Sequence, residues 1–247
     1  KLWADRRTGI GFDQLLAVLP PSSPEADFRY QIFNRDGTEA EQCGNGARCF
    51  ARFVRDNRLS TKTCLTLETL GGFIHTEFID DSAVRVDMGE PIIDPVQVPI
   101  RADRAEVING GYAIDVNHER VEFTAISLGN PHAIIFVDDI STAPVTAVGP
   151  ALQSSSAFPK SVNVGFLQVI DSDFARLRVF ERGAGETLAC GTGACAAMVA
   201  GNLRGVLGAY AKISLAGGTL TLEWQGEKSP VKMTGPTEHI FEGRLRI

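Results

Sequence analysis

Two stretches of this chain repeat one another in register. Cys43-Gly44-Asn45-Gly46-Ala47 matches Cys190-Gly191-Thr192-Gly193-Ala194, an offset of 190 − 43 = 147. At the same offset Phe33 matches Phe180, Asn34 matches Glu181 and Arg35 matches Arg182. Gly71-Gly72 matches Gly217-Gly218 and Gly89 matches Gly235, both at 235 − 89 = 146, and with a gap Gly11-Phe12 aligns with Gly165-Phe166. The period is too long for a solenoid, whose repeats run to about 20–50 residues. It predicts two homologous halves that face each other, each supplying one thiol.

Each thiol stands just ahead of a predicted helix. Ala47, Phe50, Ala51 and Val54 recur at helical spacing over residues 46–56, and Ala194, Ala197, Met198 and Gly201 do so over residues 194–203. The first N–H groups of a helix lack internal partners and carry partial positive charge. A cysteine placed there tends to have a lowered pKa, and a carboxylate docks there readily. A lone Cys-Gly-x-Gly is equally well read as a buried cysteine at a tight turn. Two copies in register, each opening a helix, favour a reactive pair. Cys49 and Cys195, inside the helices, are expected in the core, and Gly201 and Gly205 as points of close packing. The remaining apolar segments read as strands over residues 9–19, 28–34, 65–68, 72–79, 83–87, 121–128, 133–137, 161–169, 175–181, 212–215, 219–224 and 230–233, with a weaker strand pattern over 96–114. A short helix and a Ser-rich loop are expected over 138–158. Most connections are hairpin-like, which predicts mainly antiparallel sheets with one long helix each.

Q-C-G-N-G-A-R-C at 42–49 and E-R-G-A-G-E-T-L-A-C-G-T-G-A at 181–194 resemble the two active-site motifs of the diaminopimelate epimerase family. S-L-G-N-P-H at 127–132 and V-N-V-G-F at 162–166 resemble two further stretches of it, and the resemblance runs from about Gly9 to the end. It implies an α+β fold of two pseudo-symmetric halves, each a mainly antiparallel sheet or barrel around a central helix, with the active site in the cleft between them. The expected boundaries are 1–88 for the first half, 89–236 for the second, and a segment 237–247 returning to the first. The family's opening strand, with a Gly-Asn-Asp-Phe motif whose asparagine joins the substrate site, would lie ahead of Lys1. Residues 1–7 then read as the end of a first helix, and the first half is short of one strand.

The resemblance also implies a reaction: epimerisation of LL-2,6-diaminopimelate to the meso isomer, without pyridoxal phosphate, by one cysteine as thiolate base and the other as thiol acid. Cys43 and Cys190 are the implied pair. The N–H groups of Gly44, Asn45, Gly191 and Thr192 would hold the α-carboxylate, and Glu181, with His132, the α-ammonium. Asn34, Asn130, Asn163 and Arg182 would hold the distal amino-acid end. Gln14 would lie near the site, although a polar residue at a strand edge explains it equally well. His75, His118 and His239 belong to no constellation and read as structural or surface residues. No cofactor motif is evident, and no His/Cys cluster has metal-ligand spacing. Two other readings stay open: another two-cysteine enzyme, such as a proline or hydroxyproline racemase, and a redox-sensing or binding protein in which Cys43 and Cys190 form a reversible disulfide.

Composition narrows the setting. The chain has 247 residues, 44% of them hydrophobic, enough for a substantial core. Its 24 basic and 30 acidic residues are well mixed and leave a net charge of −6, which argues against a nucleic-acid surface. No apolar run reaches membrane-spanning length. Five cysteines, an odd number, read as free thiols of a reducing cytoplasm. A small-molecule substrate and a homodimer complete the expectation.

Overall fold

A computed structural model of the chain describes residues 1–244 and falls into two compact units: Lys1–Val86 with the segment from Thr234 onward, and Asp87–Met233. In the first unit, residues 1–9 are turns rather than the end of a helix. Asp5 Oδ1 accepts from the backbone N–H groups of Arg7 (2.8 Å) and Thr8 (2.7 Å), a local bond pattern that competes with helix. The first strand, β1 (Gln14–Leu19), starts later than residue 9, because Gly11 takes a φ of +78° and interrupts extended backbone. It pairs antiparallel with β2 (Phe28–Asn34), from Gln14↔Asn34 to Leu19↔Arg29. Next come α1 (Gly44–Asp56), β3 (Cys64–Thr69), β4 (Gly72–Phe78) and β5 (Ala83–Asp87).

The apolar spacing of α1 does what its periodicity predicts. Ala47, Phe50, Ala51 and Val54 are buried, and the Phe50 ring lies 4.9 Å from that of Tyr30 and 6.2 Å from that of Phe28. Full burial of a Phe side chain is worth roughly 2 kcal/mol. Cys49 is exposed, contrary to expectation, because position 49 falls one step outside that stripe.

The second unit contains a 3₁₀ turn (Ala102–Arg104), β6 (Glu106–Ile108), β7 (Gly111–Val116), β8 (Glu119–Ser127), β9 (Pro131–Phe136), α2 (Val145–Gln153), β10 (Asn163–Asp171), β11 (Phe174–Glu181), β12 (Gly185–Thr187), α3 (Gly191–Leu203), β13 (Tyr210–Leu215) and β14 (Gly218–Glu223). The last strand, β15 (Lys232–Pro236), takes the chain back to the first unit, where Thr237 N–H donates to the Ser82 carbonyl at 3.2 Å. The expected strand over 96–114 is broken. Asp94 folds the chain into a turn, its side chain accepting from Val96 N–H (3.0 Å) and its carbonyl from Gln97 and Val98, before β6 and β7 form a hairpin. Most strand pairs are antiparallel, but β2–β3, β9–β10 and β11–β13 run parallel.

The helix α3 is Ala- and Gly-rich and buried all round from Gly193 to Gly201. Its small side chains let β8, β9, β10, β11, β13 and β14 close around it. Gly201 provides close packing, since a Cβ there would sit 2.5 Å from Leu207 Cδ1. Gly205 does not; it lies past the helix end at φ +70° with nothing near its Cβ position. The bonds Gly205 N–H→Asn202 O (2.9 Å) and Val206 N–H→Gly201 O (3.0 Å) make it the left-handed residue of a Schellman stop.

The internal repeat is carried into backbone detail. Gly71 N–H donates to Glu41 O (3.0 Å), and Gly217 N–H donates to Leu188 O (2.7 Å), two bonds related by the repeat. Each fixes the loop that enters a cysteine. Ala47 N–H→Cys43 O (2.9 Å) and Ala194 N–H→Cys190 O (3.0 Å) then open the two helices alike. The registers correct one alignment. Leu16 lies opposite Ile32 and Gly165 opposite Val179, so Leu16, not Gly11, is the counterpart of Gly165. By the same register Gln14 is the counterpart of Asn163.

Candidate active site

Both thiols are helix N-caps with nearly the same backbone. Cys43 caps α1 at φ −149°, ψ 106°, and Cys190 caps α3 at φ −134°, ψ 107°. An N-cap residue is extended, and its neighbours present unpaired N–H groups. Gly44 and Asn45 therefore occupy the first two positions of α1, and Gly191 and Thr192 those of α3. Such N–H groups at a helix start are the kind of donors that take a carboxylate oxygen.

The two sulfurs make opposite kinds of bond. Cys43 Sγ accepts from Gly46 N–H at 3.3 Å. Cys190 makes no cap bond, and its Sγ donates to Glu181 Oε2 at 3.0 Å, with Thr192 Oγ1 3.7 Å away. Glu181 ends β11 and is held by the Thr187 hydroxyl from β12, which donates to its other oxygen. A sulfur that accepts suits a thiolate, and one that donates to a carboxylate suits a thiol. The electrostatics differ in their causes, although both thiols end above their ordinary value. Burial pushes both thiols up. At Cys43 the N–H groups of Gly46 and Asn45 and the charge of Arg48 oppose that push. At Cys190 the charge and the hydrogen bond of Glu181 add to it, outweigh the Gly193 N–H and the Thr192 hydroxyl that oppose it, and lift the thiol far above its ordinary range.

The other expected residues gather in two groups. In the second unit, His132 Nε2 meets Asn130 Oδ1 at 3.1 Å, and Asn130 Nδ2 donates to Thr192 Oγ1 at 3.2 Å. His132 is fully buried, which, helped by the Arg182 charge, pushes its pKa down to about 3 and keeps the imidazole neutral. Its Nδ1 has no hydrogen-bond partner among the described residues. Asn163 Oδ1 accepts from the backbone N–H of Arg182 at 2.8 Å, while the Arg182 guanidinium reaches the Lys160 carbonyl at 2.9 Å. Asn163 thus meets the main chain of Arg182, not its guanidinium. In the first unit, Gln14 Nε2 donates to Asn34 Oδ1 at 3.2 Å across the β1–β2 register. Among the described residues, no group of three or more His, Cys, Asp or Glu side chains is placed to hold a metal ion.

Three residues around the thiols escaped notice in the sequence: Tyr30, Arg48 and Thr187. Tyr30 reads only as an inward strand position. Its hydroxyl donates to the Cys43 carbonyl at 3.3 Å and lies over Gly46, where a Cβ would come within 2.1 Å of that oxygen. Gly193, the counterpart in α3, is roomier, with Val179 Cγ2 at 3.2 Å from the same point. Gly46→Ala is therefore expected to destabilise the fold by about 2–3 kcal/mol, because Tyr30 must move, and Gly193→Ala by less. Urea unfolding of the two variants checks the order; equal midpoints would contradict it.

Comparison with known proteins places this geometry. The family model of diaminopimelate epimerase matches residues 1–93 and 124–240. The diaminopimelate epimerase of Pseudomonas aeruginosa (strain LESB58) is 55% identical over 247 residues, all of this chain and 88% of that protein. The diaminopimelate epimerase of Ectopseudomonas mendocina (strain ymp) is 54% identical over the same shares. Among solved structures, a probable proline racemase from Agrobacterium radiobacter K84 matches with a TM-score of 0.68 at 17% identity, covering 95% of this chain and 76% of that one. That likeness shows a shared fold, in keeping with the α+β architecture of sheets around few helices. The family match takes in both cysteine-capped helix starts, and an identity above half over the whole chain leaves no doubt about descent: this chain belongs to the diaminopimelate epimerase family.

Proposed function

We propose that the chain is an isomerase that interconverts LL-2,6-diaminopimelate and the meso isomer, using Cys43 and Cys190 as a two-base pair. The observation that carries the reading is the pair of thiols capping two helices with matching backbone, one sulfur accepting a hydrogen bond and the other donating one. Family membership supplies the substrate.

Inverting a centre next to a carboxylate needs a base on one face and an acid on the other. Thiols suit both tasks because environment can set their pKa across the working range. In this reading the Cys43 thiolate takes the α-proton while Cys190 gives its proton to the opposite face, and the reverse reaction exchanges the roles. Charge that develops on the α-carboxylate is met by the N–H groups of Gly44, Asn45, Gly191 and Thr192, fixed before the reaction starts. Glu181 receives the α-ammonium, beside the neutral His132. Asn34, Asn130, Asn163 and Arg182 receive the distal amino-acid end, with Gln14 orienting Asn34. A guanidinium with amide neighbours suits a carboxylate next to an ammonium. No cofactor enters this scheme.

The competing reading is an enzyme acting on proline or hydroxyproline. It rests on structures only 15–17% identical, which share the fold alone. Incubation of the purified protein with LL-diaminopimelate, proline and trans-4-hydroxyproline, with reductant and followed by chiral chromatography, tests the proposal. Meso-diaminopimelate should form, and neither imino acid should change configuration. Inversion of proline or hydroxyproline, with diaminopimelate untouched, would replace the substrate.

The same proposal includes a homodimer in the cytoplasm. Phe53, Ile240 and Phe241 line one cavity of about 620 Å³ on the first unit, and each is at least half exposed. Such an apolar cluster is the kind of surface a second copy covers. Sedimentation velocity should give a dimer that Phe241→Asp shifts toward monomer; a wild-type monomer at micromolar concentration would refute it. Five free cysteines fit a reducing compartment, and no described helix is long and apolar enough to cross a membrane. Cell fractionation checks the location, and recovery with an oxidising compartment would contradict it.

A further inference from the structure

The repeat is broken next to the thiols in a way that separates them. Asn34 in the first half stands where Glu181 stands in the second. Arg48 stands where the second half has Cys195, at 195 − 48 = 147. Arg48 is a charged side chain only 8% exposed. It folds back along α1, and its Nη1 donates to Asn45 Oδ1 at 2.9 Å, in the same first turn whose Gly46 N–H bonds Cys43 Sγ. Cys195 is fully buried and brings no guanidinium to its helix. One helix start thus carries a buried guanidinium and the other a carboxylate.

We infer that Arg48 is a positioning residue of the first half-site, whose buried guanidinium holds Asn45 in the first turn of α1 and places a positive charge at the helix start that Cys43 caps. The inference rests on Cys43 being a reacting thiol. The groups facing Cys43 within its unit are few. Tyr30, from β2, is a phenol that burial keeps protonated, and its hydroxyl is engaged with the Cys43 carbonyl. Cys49, on α1 itself, opposes ionisation of Cys43, and Arg48 favours it. Among these described groups Arg48 is the cation. A full opposite charge beside a buried group commonly shifts it by about one to three pKa units. Arginine suits the place better than lysine, because its planar fork serves an amide and a charge together.

The test reads alkylation rather than turnover, so that its failure can be told apart from failure of the two-base reading. Full-chain wild type, Arg48→Met and Arg48→Lys are treated with iodoacetamide across pH 6–10, and modification is resolved by peptide mass spectrometry, with the exposed Cys64 as internal standard. Arg48→Met should raise the midpoint of Cys43 alkylation by about one unit or more, so that at pH 7 it reacts at least about tenfold more slowly, while Cys190 is unchanged. Arg48→Lys should keep the Cys43 midpoint near wild type but lower kcat severalfold with little change in KM, because Asn45 is no longer held. An unchanged Cys43 midpoint in a folded Arg48→Met overturns the inference. If Arg48→Met does not fold, Arg48→Lys decides: a shifted midpoint, or a wild-type kcat, overturns it. Cys43 alkylation that follows Arg48 in a protein without epimerase activity would uphold the electrostatic role and remove the function instead.

Discussion

Cys43→Ala and Cys190→Ala should each reduce epimerisation by about 10²–10⁴-fold while leaving the fold intact. The magnitude follows from the role: a general acid or base contributes about 10²–10⁴-fold, and the remaining partner cannot serve both faces of the substrate. The fold survives because neither sulfur holds the helix. The carbonyls of Cys43 and Cys190 accept the first helical bonds, and the side chain of Cys190 makes no cap bond at all. Losing the single Gly46 N–H···Sγ contact at Cys43 costs no more than about 1 kcal/mol. The checks are meso-diaminopimelate formation by chromatography and thermal unfolding by circular dichroism. A folded alanine variant that turns over at a tenth of the wild-type rate would remove that thiol from the reaction.

Glu181→Gln should be nearly as damaging, with a loss of about 10²-fold or more, and its pH profile identifies the cause. Glu181 does two things in the proposed scheme: it accepts from Cys190 Sγ and receives the substrate's ammonium. Its negative charge adds to burial in raising the pKa of Cys190. Without that charge the pKa of Cys190 falls, although burial, the larger cause, still holds it above its ordinary value. Cys190 must be protonated to act as acid, so the alkaline limb of kcat should move to lower pH in the variant, and alkylation of Cys190 at pH 8 should accelerate. An alkaline limb that stays put, or moves up, would contradict this assignment of Glu181.

Much of the site is visible in the sequence because the repeat is short-range and punctuated. Cys-Gly-x-Gly-Ala marks both helix starts, and Ala47, Phe50, Ala51 and Val54 mark one core face without any knowledge of partners. What stayed hidden depends on contacts across strands. The Tyr30 hydroxyl reaches Cys43 only because β2 lies beside the start of α1. The equivalence of Gln14 with Asn163 appears only in strand register, where a glycine-based alignment slipped by five residues, from Leu16 to Gly11. The turns at residues 1–9 and the break after Asp94 come from aspartate side chains that bond their own backbone, a local choice that apolar periodicity does not register. The exposure of Cys49 shows how sharp a helical stripe is, since one step from Phe50 suffices to leave the core.

The central claim is that two thiols, one on each helix cap, handle different protons. Initial-rate epimerisation of LL-diaminopimelate in heavy water, with the isotope content of substrate and product followed separately by mass spectrometry, tests it most directly. If Cys43 removes one proton and Cys190 delivers another, the meso product gains one deuterium from the first turnover while recovered substrate stays unlabelled. Recovered substrate that gains deuterium as fast as product forms, or product that keeps the original proton, would mean that one base serves both faces, and the two-thiol account would fall.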